Sequence, residues 1–307
     1  MRVLSLFDGM SCGRVALSRA NIKVKKYYSS EIYKYPISIA DKNYPCDAKY
    51  RLGDVTKLKK KELKKLKIDL LIGGSPCQGF SMAGKLNGSS TITKIEVTSL
   101  KQYLKLKKKG VIFEGQSYLF WEFIRVLKIC KPKYFLLENV RITKKWLPMF
   151  NDTLEVEPIF INSNLVSAQN RPRYYWTNIK MRRTPKDKGI LLKDILEPIE
   201  FSNDVPNYLT QEFDGVSRLD KGIMGRDLNK KQPCLSAGST HANKYVVLGS
   251  SDNLVYRKLE PIECERLQTL PDNYTKGVSN TQRYKMIGNG WTVDVVAHIF
   301  KGLKYNV

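Results

Sequence analysis

The chain has 307 residues, with 53 Lys and Arg against 29 Asp and Glu and a formal net charge of +24. An apolar share of 42% supports a proper core and excludes bulk disorder, and no apolar run approaches the roughly 18–20 residues that span a bilayer. The length suits one large α/β domain, or a large domain carrying a smaller one; the charge points to a polyanion, nucleic acid first, with biased Lys usage as the plain alternative.

The N-terminal run Met1-Arg2-Val3-Leu4-Ser5-Leu6-Phe7-Asp8-Gly9 holds Asp8 inside its only apolar stretch. It does not read as a signal peptide, and the expected location is the cytoplasm. Val3–Phe7 predicts a strand, Gly13–Ala20 a helix, Lys26–Ser30 an extended stretch, and the residues from about 33 to 43 a second helix. Asp69–Gly73 and Tyr134–Leu137 read as buried strands. Between them Leu119, Phe120, Phe123, Val126 and Leu127 recur at helical spacing over Tyr118–Ile129. Such alternation predicts a doubly wound, mostly parallel α/β sheet. Ligands of such sheets bind beyond the carboxyl ends of the strands.

Past about residue 180 the character changes. Residues 198–256 are rich in Asn, Ser, Gly and Asp and predict a small irregular or β-rich module; helical patterning returns from Leu259. There Val293, Val295, Val296, Ile299 and Phe300 can share one helical face. The Lys runs at 57–67 and 101–109 are the low-complexity segments.

The chemistry is read from the strand ends. Asp8-Gly9-Met10-Ser11-Cys12-Gly13 is a Gly-bearing turn between a strand and a helix, which lets a ligand approach the backbone. Glu31 closes the next strand, about 20 residues on from that turn, where an acid hydrogen-bonds ribose hydroxyls. Asp54, after Gly53, suits an adenine amino group, and no Lys-Ser/Thr follows the Gly turn, so a P-loop is not expected. The next strand exits through Gly73-Gly74-Ser75-Pro76-Cys77-Gln78, presenting Cys77 at the ligand edge. A small buried Cys filling a gap is the plainer alternative. Glu138-Asn139-Val140 follows Phe135-Leu136-Leu137, and an acid there is costly unless paired or used. In Gln169-Asn170-Arg171-Pro172-Arg173, the two Arg fall on one side of an extended segment.

The six Cys are far apart in sequence, with no zinc-type or redox Cys pair. Only two His are present, which excludes most His-based zinc sites and weighs against a Ser-His-Asp triad. Pro76-Cys77 is not followed by a second Cys at the spacing of the zinc nucleobase deaminases.

Taken together these residues resemble the DNA cytosine-5 methyltransferases over about 1–180 and 255–307. Leu6-Phe7-Asp8-Gly9 with Gly13 resembles the family's first motif, in the form of the animal de novo enzymes; overall the chain is similar to bacterial or phage members. Pro76-Cys77-Gln78, Glu138-Asn139-Val140 and Gln169-x-Arg171-x-Arg173 resemble the catalytic motifs, in order. Arg266-Leu267-Gln268-x-x-Pro271 and Gly288-Asn289 resemble the ninth and tenth. Two departures stand out: Met10-Ser11-Cys12 replaces the glycine-rich core of the first motif, and Gly290-Trp291 follows Gly288-Asn289 where Ser-Val is usual. The stretch from Ser81 to Gly115 is longer and more basic than in compact bacterial members.

The resemblance implies a Rossmann-like S-adenosylmethionine-dependent methyltransferase with a smaller target-recognition domain. The expected limits are 1–180 plus 282–307 for the catalytic domain and 181–281 for recognition. The implied reaction is methyl transfer to carbon 5 of a cytosine flipped out of duplex DNA, through a covalent Cys77 adduct. Glu138 would stabilise charge at ring nitrogen 3 if burial raises its pKa, and Arg173 would hold the carbonyl oxygen, with Arg171 supporting it or the Cys loop. The implied cofactor residues are Phe7 (stacking on adenine), Gly9, Glu31, Asp54, Leu119 and Asn289, with Ile32 and Val55 as apolar neighbours. Asp8, Cys12, Pro76 and Trp291, which replaces a small residue, complete the set. The expected partner is double-stranded DNA, with no metal and no membrane; the chain is read as a monomer, nucleoid-associated if bacterial or phage, in a restriction–modification or similar setting. Arg218, Arg226, Asn229, Lys230 and Lys231 are candidate base readers, although most are better explained as solvated charges. The basic run 101–109 is expected to contact phosphates beside the flipped base, or else to be a solvated helix. An RNA (tRNA) cytosine methyltransferase of the same fold and a non-catalytic DNA-binding relative are the alternatives; the second should lack Cys77, Glu138 or Arg173, and all three are present.

Overall fold

A computed structural model of the chain describes residues 1–76, 79–80, 88–198, 200, 202, 212–213, 216–217, 228–235, 245–248 and 255–306. Two compact units divide it: residues 1–161, 172–184 and 297–307 form the first, and 162–171 with 185–296 the second.

The first unit is built on a sheet. In chain order its elements are β1 (Arg2–Leu6), α1 (Cys12–Arg19), β2 (Lys26–Ser30), α2 (Lys34–Asn43), α3 (Lys60–Leu66), β3 (Leu70–Gly73), α4 (Leu100–Lys108), α5 (Leu119–Cys130), β4 (Tyr134–Asn139), α6 (Leu147–Leu154) and β5 (Ile159–Asn162). The two-residue β6 (Gln169–Asn170) precedes β7 (Pro172–Thr177). The six-stranded sheet runs β2-β1-β3-β4-β7-β5. β1, β2, β3 and β4 pair in parallel, and β7 returns antiparallel to β4. The order reverses at β1, with β2 on one side and β3 on the other. Loops leaving β1 and its neighbours therefore line a switch point, where open α/β sheets bind ligands.

The physical causes are local. β3 and β4 are buried throughout, so unbroken runs such as Leu70-Leu71-Ile72 and Phe135-Leu136-Leu137 suit strands covered on both faces. α5 turns Phe120, Phe123, Ile124 and Val126 inward and stops at Lys131, which takes a left-handed φ of 45°. β4 runs two residues past the expected Leu137, so Glu138 and Asn139 are its last strand residues. The Lys runs are also helical: α3 lies within 57–67 and α4 within 101–109 but for its first residue. Ser99 caps α4, its hydroxyl accepting the Gln102 amide at 3.3 Å, so the N-terminal capping is local.

An aromatic cluster fills the core beside β4. Phe80 is fully buried, with its ring 5.1 Å from Phe150, 5.5 Å from Trp146 and 6.3 Å from Phe120, all edge-on. Burying a Phe side chain contributes about 1.5–3 kcal/mol. The chain three residues past Cys77 is thus fixed in the core.

The second unit's described strands are short: Glu212–Phe213 pairs with Val216–Ser217, Tyr245–Leu248 with Val255–Lys258, and Gln232–Pro233 runs parallel to β6. Helices Pro261–Leu267 and Asn280–Asn289 follow. This unit includes 162–171 and 282–296, which the sequence limits give to the other domain, because hydrogen bonds described below join those stretches to residues 234–268. The five apolar residues expected to share a face of helix Val293–Phe300 are all buried. Among the described residues no helix is long and apolar enough to cross a membrane.

Candidate active site

The turn after β1 bends sharply. Phe7, Gly9 and Ser11 have φ of 56°, 56° and 64°, so three alternate residues occupy the left-handed region, two of them without the freedom of glycine. Such backbone persists only where surrounding contacts hold it. Asp8 supplies them: its carboxylate accepts the Ser11 hydroxyl and the Tyr27 hydroxyl, each at 2.6 Å, under nearly complete burial. Burial pushes the Asp8 carboxyl up to about 6; its hydrogen bonds with Ser11, Ser5 and Tyr27 pull the other way, and Glu31 adds to the rise. Cys12 is buried at the start of α1. Asp8 and Cys12 thus shape the turn from inside.

The outer side of the turn is open. A Cβ placed on Gly9 would have nothing within 4 Å. The Gly9 amide donates to Glu31 Oε2 at 2.9 Å, while Glu31 Oε1 accepts the amides of Ile32 at 2.8 Å and Tyr33 at 2.9 Å. Ile32 and Tyr33 are 65% and 52% exposed, so an apolar and an aromatic side chain stand open beside a fixed carboxylate. Phe7 is half-buried against the core.

The second acid lies on a short turn, 55–57. Asp54 caps it, with Oδ1 accepting the Thr56 amide and hydroxyl, both at 2.8 Å. Val55 is buried, and Leu119 is half-buried at the first position of α5. Tyr118 precedes it; burial, then the nearby Asp54 charge, pushes its phenol up. Arg125, from the same helix, donates to the Val55 carbonyl at 2.8 Å and that of Leu58 at 2.9 Å. The elements bearing Asp54, Val55 and Leu119 are therefore tied together.

At the next strand ends, Glu138 and Arg173 meet. Arg173 Nε lies 3.0 Å from Glu138 Oε1, and both side chains are 11% exposed. Arg173 also donates to the Pro172 carbonyl at 2.8 Å. Asn139 donates to the Ser75 carbonyl at 3.3 Å, which fastens the end of β4 to the exit of β3 one residue before half-buried Pro76. The Ser75 hydroxyl is buried with no hydrogen-bond partner among the described residues. Cys77 and Gln78 lie outside the described residues.

In the second unit the remaining motifs interlock. The Arg171 guanidinium donates to the carbonyls of Leu235 (2.9 Å), Gly288 (3.0 Å) and Gly290 (2.9 Å), and also contacts Cys234 Sγ at 3.2 Å. Gln268 donates to the carbonyls of Ile287 at 2.8 Å and Gly290 at 3.3 Å, and accepts from Thr292 at 2.9 Å and Gln169 at 3.2 Å. Arg266 makes a two-pronged pair with Asp272, at 3.0 and 2.7 Å. Asn289 is exposed at the end of its helix and Trp291 is half-buried. Gln268 was read from sequence only as part of the ninth motif and Thr292 was not singled out; their partners lie 19 and 24 residues away in sequence, so no local signal marks either role.

Two basic expectations change. Lys107 points inward and donates to Glu122 at 2.6 Å and the Thr56 carbonyl at 3.0 Å, so it is not available to a phosphate. Lys231 donates to the carbonyls of Asn164 at 2.9 Å and Ser167 at 3.3 Å and to that of Ile190, so it is neither a base reader nor a solvated charge. An ammonium has three donors, and each of these two is held by more than one acceptor: a carboxylate and a carbonyl for Lys107, three carbonyls for Lys231. Asn229 accepts from Lys193 at 2.8 Å and Lys230 is exposed, while Arg218 and Arg226 lie outside the described residues.

Comparison with known proteins gives one family. The model of the C-5 cytosine-specific DNA methylases matches residues 1–214 and 172–305. The type II methyltransferase M1.ScrFI of Lactococcus lactis subsp. cremoris is 27% identical over 323 residues, spanning 96% of this chain and 76% of that protein. The orphan methyltransferase M.Rho11sI of Bacillus phage rho11s is 33% identical over 141 residues, 46% of this chain and 23% of its own. Among solved structures, S. pombe Dnmt2 methyltransferase aligns with a TM-score of 0.69 at 19% identity, covering 100% of this chain and 99% of that one. The Entamoeba histolytica methyltransferase EhMeth aligns at 0.71 and 18%, covering 100% and 98%. These structural likenesses show the expected fold.

Proposed function

The chain belongs to the C-5 cytosine-specific DNA methylase family, and on that footing we propose which of its residues carry methyl transfer to carbon 5 of cytosine in duplex DNA. The observation that carries the assignment is the Glu138–Arg173 pair, a carboxylate and a guanidinium 3.0 Å apart beside the strand that leads into Pro76-Cys77.

The strand ends fit the adenosine part of S-adenosylmethionine. Fixed carboxylates at Glu31 and Asp54 are acceptors for ribose hydroxyls and an adenine amine, and the open face of Gly9 leaves room for a ligand against the backbone. Phe7, Gly9, Glu31, Ile32, Asp54, Val55 and Leu119 would hold it, Asp8 and Cys12 keeping the turn in shape. Pro76, Asn289 and Trp291 complete the set on resemblance. S-adenosylmethionine supplies an activated methyl group when bound.

Carbon 5 of cytosine is a poor nucleophile. The Cys77 thiolate donates an electron pair to carbon 6, forming a C–S bond, and ring electrons move toward nitrogen 3 and the carbonyl oxygen. Glu138 donates a hydrogen bond or proton to nitrogen 3, and Arg173 donates to the oxygen, so the charge meets a prepared site. Carbon 5 becomes enamine-like and takes the methyl. Its proton then leaves to a base, the C–H pair restores the ring double bond, and the C–S pair departs with Cys77. The target base must leave the stack to reach these groups. Arg171 acts through the segments it ties. Residues 181–281 are proposed to read the site, with the monomer acting in the cytoplasm.

Methyl transfer from labelled S-adenosylmethionine to duplex DNA and to tRNA, measured side by side, tests this reading. Label in duplex DNA, with bisulfite sequencing showing a defined site, is the expected result; label in tRNA alone would make it an RNA enzyme.

A further inference from the structure

Helix α4 belongs to none of the motifs that carry the family resemblance, yet its inner face reaches the Asp54 turn. Glu122 is fully buried. Its carboxylate accepts from the Tyr103 hydroxyl, from Lys107 Nζ at 2.6 Å and from Arg125 Nε at 2.7 Å. The two cations then continue to one short turn. Lys107 donates to the Thr56 carbonyl at 3.0 Å, and Arg125 to those of Val55 at 2.8 Å and Leu58 at 2.9 Å. On its other side that turn holds Asp54, through the Thr56 amide and hydroxyl. Thr56 is thus gripped twice, by Lys107 at its carbonyl and by Asp54 at its amide and hydroxyl.

We propose that Lys107, supported by Tyr103, is a positioning residue for adenine recognition, acting through Thr56 on the Asp54 carboxylate. The inference rests on the reading of Asp54 as acceptor of the adenine amine. Charge-assisted bonds at low exposure are the stronger kind, and buried ion networks lose most when one partner is removed. Without Lys107 the Thr56 carbonyl loses its donor and Glu122 keeps one cation in place of two. The turn then relaxes, and a hydrogen bond to a planar amine is sensitive to that displacement. Arg125 alone leaves the middle carbonyl of the turn unheld.

The test is calorimetric binding of S-adenosylhomocysteine and of its inosine counterpart, in which a carbonyl oxygen replaces the adenine amine; no turnover is needed. Wild type should prefer the adenine form by on the order of tenfold or more, the worth of a hydrogen bond to a charged group. Lys107→Met should weaken the adenine form and leave the inosine form nearly unchanged, so that the preference collapses. Lys107→Arg, which keeps a cationic donor, should restore it, and Tyr103→Phe should reduce it in part without disturbing packing. Lys108→Met, on the exposed side of the same helix, should leave the preference for the adenine form unchanged. A wild-type preference retained in Lys107→Met would overturn the proposal, whatever happened to overall affinity or stability. Should that variant not fold, a full preference in Tyr103→Phe would overturn it equally. A wild type with no preference would instead refute the reading of Asp54.

Discussion

Arg171 and Arg173 stand on either side of Pro172, and their guanidinium groups serve different structures. Arg173 pairs with Glu138 at 3.0 Å, whereas Arg171 donates to three main-chain carbonyls. Equivalent substitutions should therefore separate. Arg171→Lys loses the planar fork that serves three carbonyls and should cost about 1–3 kcal/mol of unfolding free energy. Arg173→Lys should lower the single-turnover rate by on the order of tenfold or more with a smaller loss of stability. Denaturant unfolding and single-turnover assays on both proteins would show this, and a reversed pattern would exchange the roles.

Cys77 is tested through its chemistry. Cys77→Ala should abolish methyl transfer while S-adenosylhomocysteine still binds. DNA containing 5-fluorocytosine should trap wild type covalently, because fluorine does not leave as a proton does. Trapping in Cys77→Ala would assign the nucleophile elsewhere.

Glu138→Gln removes the acidic proton and retains the shape. The single-turnover rate should fall by on the order of 10²-fold, with cofactor affinity little changed. A rate near wild type would remove Glu138 from the mechanism.

Asp8 gives a pH signature. Burial holds its carboxyl at about 6, against 3.8 for the free side chain. Between those values the folded chain keeps a proton that the unfolded chain has released. This contribution is therefore stabilising at low pH, is lost as pH rises from about 4 to about 6, and is constant above, for a total of about 3 kcal/mol. Asp8→Asn should lack that descent, since Asn does not titrate. Urea unfolding of both proteins between pH 4 and 7 measures the difference, and parallel curves would refute it.

The outward face of α4 carries Lys101, Leu104, Lys105 and Lys108, all exposed and spaced to share one side of the helix. Changing the three Lys to Gln should flatten the log–log salt slope of DNA binding by roughly two to three units. Site preference should stay, because phosphate contacts position without specifying. Lys107→Gln, directed inward, should leave the slope unchanged. An unaltered slope in the triple variant would mean that this face does not touch DNA.

β1, β2, β3, β4 and α5 were legible because their signals are local: an unbroken apolar run, or apolar residues at helical spacing. Glu138, Arg173 and the Asp8 turn were legible as strand ends, where chemistry concentrates in such sheets. The inward turns of Lys107 and Lys231 were not. Thr56 is 51 residues from Lys107, and Asn164 is 67 from Lys231, so nothing near either Lys in sequence distinguishes it from its solvated neighbours. Tyr27 was unreadable as the brace of Asp8 for the same reason, since the two strands must pair before they meet.

The amide of Gly88 donates to the carbonyl of Gly79 at 2.7 Å, and the Gly79 amide donates to Ser117 at 2.8 Å. The approach is close enough that a methyl on Gly79 would collide with the Gly88 carbonyl, and one on Gly88 with the Trp146 ring. Neither glycine therefore has room for a side chain: Gly79→Ala would push its own hydrogen-bond partner away, and Gly88→Ala would press on the ring that Phe80 meets edge-on, so either methyl would loosen the aromatic core from a position on its rim.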